Sequence, residues 1–91
     1  SDLNQAIAIN PQFAEAYFIR GSVKAVLGDK QGAISDFNQA IAINPQDGNA
    51  WATRGFVKYQ LGDRYGACED MRKSVSLGSP LAQRMLPQMC P

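Results

Sequence analysis

Few side chains in this chain could do chemistry, and their arrangement argues against catalysis. Glu69 and Asp70 are adjacent carboxylates. On a helix, neighbours diverge by about 100°, so the two cannot share a substrate. Asp2, Asp36 and Asp70 recur at intervals of 34 residues, a regularity that marks architecture. Cys68 is the candidate nucleophile, but the chain has no His. That removes the usual base of Cys-His and Ser-His pairs and the commonest metal ligand. No catalytic residue, metal or cofactor is assigned, and the chain does not read as an enzyme. Cys68 and Cys90 allow one disulfide by arithmetic. Two cysteines outside a close-spaced motif more often mean a packed small residue and a tail thiol. The cations repeat as well: Arg20 with Arg54, and Lys24 with Lys58. They make either a stripe for an acidic peptide or pairs, Arg20 with Asp36 and Arg54 with Asp70, with the Lys stems lying along the core. Co-repetition of both charges favours the pairs.

These residues repeat because the whole chain does. Residues 1–12 read SDLNQAIAINPQ and residues 35–46 read SDFNQAIAINPQ, differing only at Leu3 and Phe37. The same offset carries Ala16-Tyr17 onto Ala50-Trp51, Arg20-Gly21 onto Arg54-Gly55, and Leu27-Gly28-Asp29 onto Leu61-Gly62-Asp63. Such self-similarity signals stacked supersecondary units. Each unit reads as two helices. The first spans 14–27, with Tyr17, Gly21, Val23 and Leu27 near helical spacing. Gly28 closes it and Asp29 caps the second, 30–43, whose apolar stripe is Ala33, Phe37, Ala40 and Ile41. Asn44-Pro45 ends that helix. The cycle repeats over 49–61 and 64–77. Helices of this length are marginal alone in water, so each must pack on its neighbour. Gly21 and Gly55 allow close approach, with Ala33 and Ala67 expected opposite.

Composition bounds the rest. The chain has 91 residues, 45% apolar and 19% charged, which suits one small folded domain. Net charge is +1, so nucleic acid and anionic membrane are poor partners. No apolar run approaches the ~18 residues of a membrane span, so no membrane insertion is expected. Composition alone leaves the compartment unknown.

The pattern resembles the tetratricopeptide repeat family. Tyr17/Trp51 and Gly21/Gly55 carry the likeness in the first helices. Ala33/Ala67, Phe37/Met71, Ala40/Ser74 and the closing Pro45 carry it in the second. The Arg-Gly and Leu-Gly-Asp segments look like the bacterial flavour of the repeat, and that resemblance implies a soluble protein of a bacterial cytoplasm or periplasm. The resemblance implies an all-α solenoid of antiparallel helix-turn-helix hairpins, a superhelix with a C-terminal capping helix. Residues 1–12 would be the second helix of a truncated unit, 13–46 and 47–80 complete units, and 81–91 the cap and tail. The cap would span about 80–86, with Ser79 as N-cap, and Pro87 and Pro91 limiting its length. Leu3, Ala6 and Ile7 would bare an apolar edge, which a longer array or a second copy would cover, making a homo-oligomer through this half-repeat conceivable.

In this family the first helices line a concave face where partner peptides usually lie. Carried over, that face holds Glu15, Phe18, Ile19, Ser22, Ala25 and Val26 from one unit. Asn49, Ala52, Thr53, Phe56, Tyr59 and Gln60 come from the next. Phe18, Ile19, Val26, Phe56 and Tyr59 suit an apolar side chain, and Asn49, Thr53 and Gln60 suit a peptide backbone. The bland alternative is that some only pack against neighbouring repeats. One subtype grips a C-terminal carboxylate with cations on this face. Phe18, Ser22 and Thr53 stand at the matching positions, so that mode is not expected. The function expected is a protein-protein interaction module, with a structural spacer or self-association segment as the alternative.

Overall fold

The computed structural model describes residues 2–10 and 12–91. Among them the regular elements are six helices: α1 Asp2–Ile9, α2 Ala14–Val26, α3 Lys30–Ile43, α4 Gly48–Gln60, α5 Arg64–Ser76 and α6 Pro80–Met89. Two compact units divide the chain, Ser1–Pro45 and Gln46–Pro91. Ser1 and Pro11, both within the expected first segment, lie outside the described residues.

One turn is used three times. After α2, Gly28 takes a positive φ of +95°. Its N–H donates to Ala25 O at 3.1 Å, and Asp29 N–H donates to Lys24 O at 2.8 Å. This double closure satisfies the orphan carbonyls of the helix end. Asp29 then caps α3, its Oδ1 accepting from Gly32 N–H at 2.9 Å. Gly62 and Asp63 do the same between α4 and α5, with Asp63 accepting from Gly66 N–H at 2.9 Å. Gly78 and Ser79 do it between α5 and α6, with Ser79 Oγ accepting from Ala82 N–H at 3.3 Å. The leucine before each glycine is the cap residue rather than the last helical one.

In the first unit α3 lays Phe37 against α2. Phe37 is fully buried, which stabilises by about 2–3 kcal/mol, and its ring stands 5.7 Å from that of Phe18. Gly21 faces Phe37 and the carbonyl of Ala33. Helix α1 buries no residue of its own. It meets α2 through Asn4, whose Oδ1 accepts from Arg20 Nη1 at 2.9 Å.

In the second unit Ala52, Ala67, Met71, Ala82 and Met89 form the core, flanked by Tyr59, Val75, Met85, Leu86 and Cys90. Met71 occupies the repeat position of Phe37 and Ser74 that of Ala40. The Ser74 hydroxyl, buried here, donates to Gly48 O at 2.6 Å, so its polarity is fully answered.

Two expectations need correction. Helix α6 does not stop at Leu86 but continues through Pro87 to Met89. A proline loses one backbone donor in the last turn yet already has helical φ, so the turn survives at reduced strength. The cysteines are not a packed residue and a separate tail thiol. Cys68 and Cys90 form a disulfide, with Cα atoms 5.8 Å apart. They stand equally far along the chain on either side of Ser79. An antiparallel α5–α6 hairpin turning at that point brings them level.

Candidate functional site

In the first unit α2 is amphipathic in an unusual way. One side meets α3, and the other is also apolar. Phe18, Ile19, Ser22, Val23, Val26 and Leu27 line an open trough of about 370 Å³ along it. Ile19 is 40% exposed and Val26 86%. The only side-chain polar group in the lining, the Ser22 hydroxyl, donates back to Phe18 O at 2.9 Å. The trough therefore offers apolar contact with no unsatisfied donor. Val23 and Leu27 belong to it, although their spacing reads as a packing stripe. Glu15 sits exposed in the first turn of α2, outside this lining.

In the second unit the matching face is partly covered. Ala52, Thr53 and Phe56 of α4, with Leu81 and Met85 of α6, line a smaller cavity of about 240 Å³. Ala52, expected on the exposed face, is only 1% exposed and belongs to the core because α6 packs there. Tyr59 also packs against this core, and its ring lies under the Arg64 guanidinium, 5.4 Å from the centroid. Asn49 lines a different, polar recess with Asp47, Leu77 and Ser79. Its backbone N–H donates to Asp47 Oδ1 at 3.1 Å, the N-cap of α4. Gln60 is exposed at the C-terminal end of α4.

The repeated charges lie inside the hairpins. Arg20 donates from Nε and Nη2 to Asp36 at 2.8 and 2.7 Å, and Lys24 Nζ reaches the same carboxylate at 3.2 Å. Burial works to raise the Asp36 pKa, but the hydrogen bonds from Arg20 and Lys24 outweigh it and hold the carboxyl below the usual range. The same bond raises the Arg20 pKa. Each arginine also lies against the aromatic ring three residues before it, Arg20 on Tyr17 and Arg54 on Trp51. The lysines are ion-pair partners as well as apolar stems. No acidic-peptide stripe is left over from these groups. Among the described residues no cluster of His, Cys, Asp or Glu could hold a metal ion, and no helix is long and apolar enough to cross a membrane.

Residues 14–47 match the family model described as Tetratricopeptide repeat. No curated protein matches the chain. Among solved structures, the chain is similar to the crystal structure of MamA, with 29% identity and a TM-score of 0.87, covering 96% of this chain and 49% of that one. It thus spans about half the length of that relative. It is also similar to the first tetratricopeptide domain of Spaghetti (RPAP3), bound to the HSP90 peptide SRMEEVD, with a TM-score of 0.88 at 22% identity, covering 96% of this chain and 71% of that one. The Sgt2 tetratricopeptide domain from Aspergillus fumigatus gives a TM-score of 0.87 at 24% identity, covering 96% of this chain and 60% of that one. At those last two identities the likeness is one of fold.

Proposed function

We infer that this chain, whose residues 14–47 match the tetratricopeptide repeat model, is a protein-interaction module whose α2 trough receives an apolar side chain from a segment of a partner protein. The observation that supports this is the trough itself: open, apolar, about 370 Å³, its single hydroxyl already hydrogen-bonded. Burying one leucine- or phenylalanine-sized side chain there yields about 1.5–3 kcal/mol with no polar group left stranded. Several weak contacts along the same segment would bring the total to useful affinity. The Spaghetti domain holds an acidic peptide, SRMEEVD. No cation lines the trough here, so the ligand chemistry favoured is apolar rather than acidic.

Selection from a displayed random-peptide library tests this. Enriched peptides should carry aromatic or branched apolar residues. Ile19→Ser with Val26→Ser should weaken them at least ~10-fold, in line with about 1.4 kcal/mol lost. Failure to enrich any peptide, or binding indifferent to both changes, would reject the trough.

A second reading, self-association, is favoured by α1. It buries no residue, and Ile9 is 84% exposed. Sedimentation velocity should then show a concentration-dependent assembly that Ile7→Ser with Ile9→Ser dissolves. A monomer at every concentration removes this reading.

A further inference from the structure

We propose that the Cys68–Cys90 disulfide is a latch on α6, and that its reduction by a dithiol lets α6 be displaced from the α4–α5 face by another apolar helix of the same chemistry. This does not rest on the α2 trough of the first unit.

The face is shaped for a helix, and α6 shows which kind. Ala52 of α4 with Ala67 and Met71 of α5 forms its floor. Ala82, Met85, Leu86 and Met89 of α6 meet it, at spacings of i, i+3, i+4 and i+7 that put all four on one stripe. Small residues permit close approach, and thioethers adapt to irregular gaps. The occupant is therefore an amphipathic helix presenting small and methionine-like side chains at that spacing.

Apart from the latch, α6 depends on its packing rather than on its own helix stability. It has ten residues, carries Pro87 in its interior, and has no acidic group in its first turn and no basic group in its last. Short helices are marginal unless packed, and proline removes one of the few backbone bonds available. The ion pairs described all run between α2 and α3 or between α4 and α5. What holds the far end of α6 is the apolar stripe plus one covalent bond.

That bond is reachable. A cavity of about 350 Å³ opens on Cys68 and Cys90 and is lined by Arg64 and Arg72. In exchange, a thiolate of the dithiol attacks one sulfur and forms a mixed disulfide. The other cysteine leaves as a thiolate and takes a proton from water. The second thiol of the reductant, deprotonated, then closes its own disulfide and releases the remaining cysteine. Two electrons pass from dithiol to protein, giving two protein thiols and one oxidised reductant. Arg64 and Arg72 line the same cavity, and positively charged surroundings favour a departing thiolate.

Hydrogen exchange with mass spectrometry on the whole chain, with and without dithiothreitol, reads the latch. Amides of residues 82–90 should exchange at least ~10-fold faster on reduction, while those of residues 64–76 keep their protection. Equal rates in α6 would overturn the proposal, as would parallel loss of protection in α5, which would make the bond a staple of the whole unit. A fluorescein-labelled peptide of residues 79–91 carrying Cys90→Ser reads displacement. Its anisotropy should rise with reduced chain and need at least ~10-fold more oxidised chain for the same signal. No binding to the reduced chain would overturn the exchange of helices. The Cys90→Ser chain should behave as the reduced one without reductant, and should it fail to fold, the reduced native chain carries both measurements.

Discussion

Arg54 on α4 clamps Asp70 on α5 with two parallel hydrogen bonds, Nε to Oδ2 at 2.9 Å and Nη2 to Oδ1 at 2.8 Å. Lys58 Nζ joins at 3.3 Å, and the guanidinium stacks 4.9 Å from the centroid of Trp51. Asp70 is only 3% exposed. Two cations thus depend on one buried carboxylate. Asp70→Ala would leave both without it inside the hairpin, and should cost about 2–4 kcal/mol. Lys58→Ala removes a second-rank partner at the rim and should cost about 0–1 kcal/mol. Urea denaturation of the two variants checks the ratio. Equal small losses would mean that water, not the arginine, satisfies Asp70.

Acid should expose the corresponding pair in the first unit. The Asp36 carboxyl titrates below the ordinary aspartate range, so the folded chain binds its proton less readily than the unfolded chain does. The stability this provides is fully present above the unfolded pKa of about 3.9 and is lost as pH falls through the folded value. Arg20, raised by the same contact, stays charged throughout that window. The urea midpoint should be nearly flat from about pH 8 to pH 5 and fall below about pH 4. Asp36→Asn should lower the plateau and flatten part of the acid slope. An unchanged slope in that variant would assign the acid sensitivity to other carboxylates.

The hairpins were legible because their cause is local and repeated. Gly-Asp turns, capping aspartates and the Ala33–Phe37 stripe are readable from residue type and spacing alone. So was the pairing of Arg20 with Asp36, since co-repeating opposite charges at a fixed separation face each other across a hairpin. What was hidden depends on which neighbour a residue meets, which the repeat pattern does not specify. The disulfide joins positions far apart in sequence, and its only sign was the equal distance of Cys68 and Cys90 from Ser79. Ala52 looks like a groove residue by analogy with Phe18, but α6 closes over it. Val23 and Leu27 read as packing residues because apolar spacing cannot say which side of a helix lacks a neighbour.

Two glycines in the second unit should respond differently to the same substitution. A Cβ on Gly55 would lie 2.9 Å from Asp70 Cβ and 3.1 Å from Ala67 O, so the helices must separate. Gly62 has open space around it but a φ of +89°. Gly55→Ala should lose about 1–3 kcal/mol despite the better helix propensity of alanine. Gly62→Ala should lose about 1 kcal/mol, from the strained left-handed backbone alone. Thermal denaturation should therefore rank Gly55→Ala as the less stable. The reverse order would show that α4 and α5 can shift apart freely.

Pro87 offers the opposite kind of test, a substitution expected to stabilise. It lies exposed within α6, where its ring nitrogen has no hydrogen to donate to the preceding turn. Alanine would restore that donor and carries a better helix propensity by up to about 3 kcal/mol in a helix interior. Near the last turn only part of that is realised, so a gain of about 1 kcal/mol is expected. The Cys90 N–H already bonds to Leu86 O at 2.8 Å, so the turn has a partner on which to build. Pro87→Ala should slow amide exchange across residues 82–90 in the reduced chain more than in the disulfide-bonded chain, where the latch already limits opening. Slowing of the same size in both would mean that α6 opens without regard to Cys68–Cys90. No slowing in either would mean that the proline already fits its turn without cost.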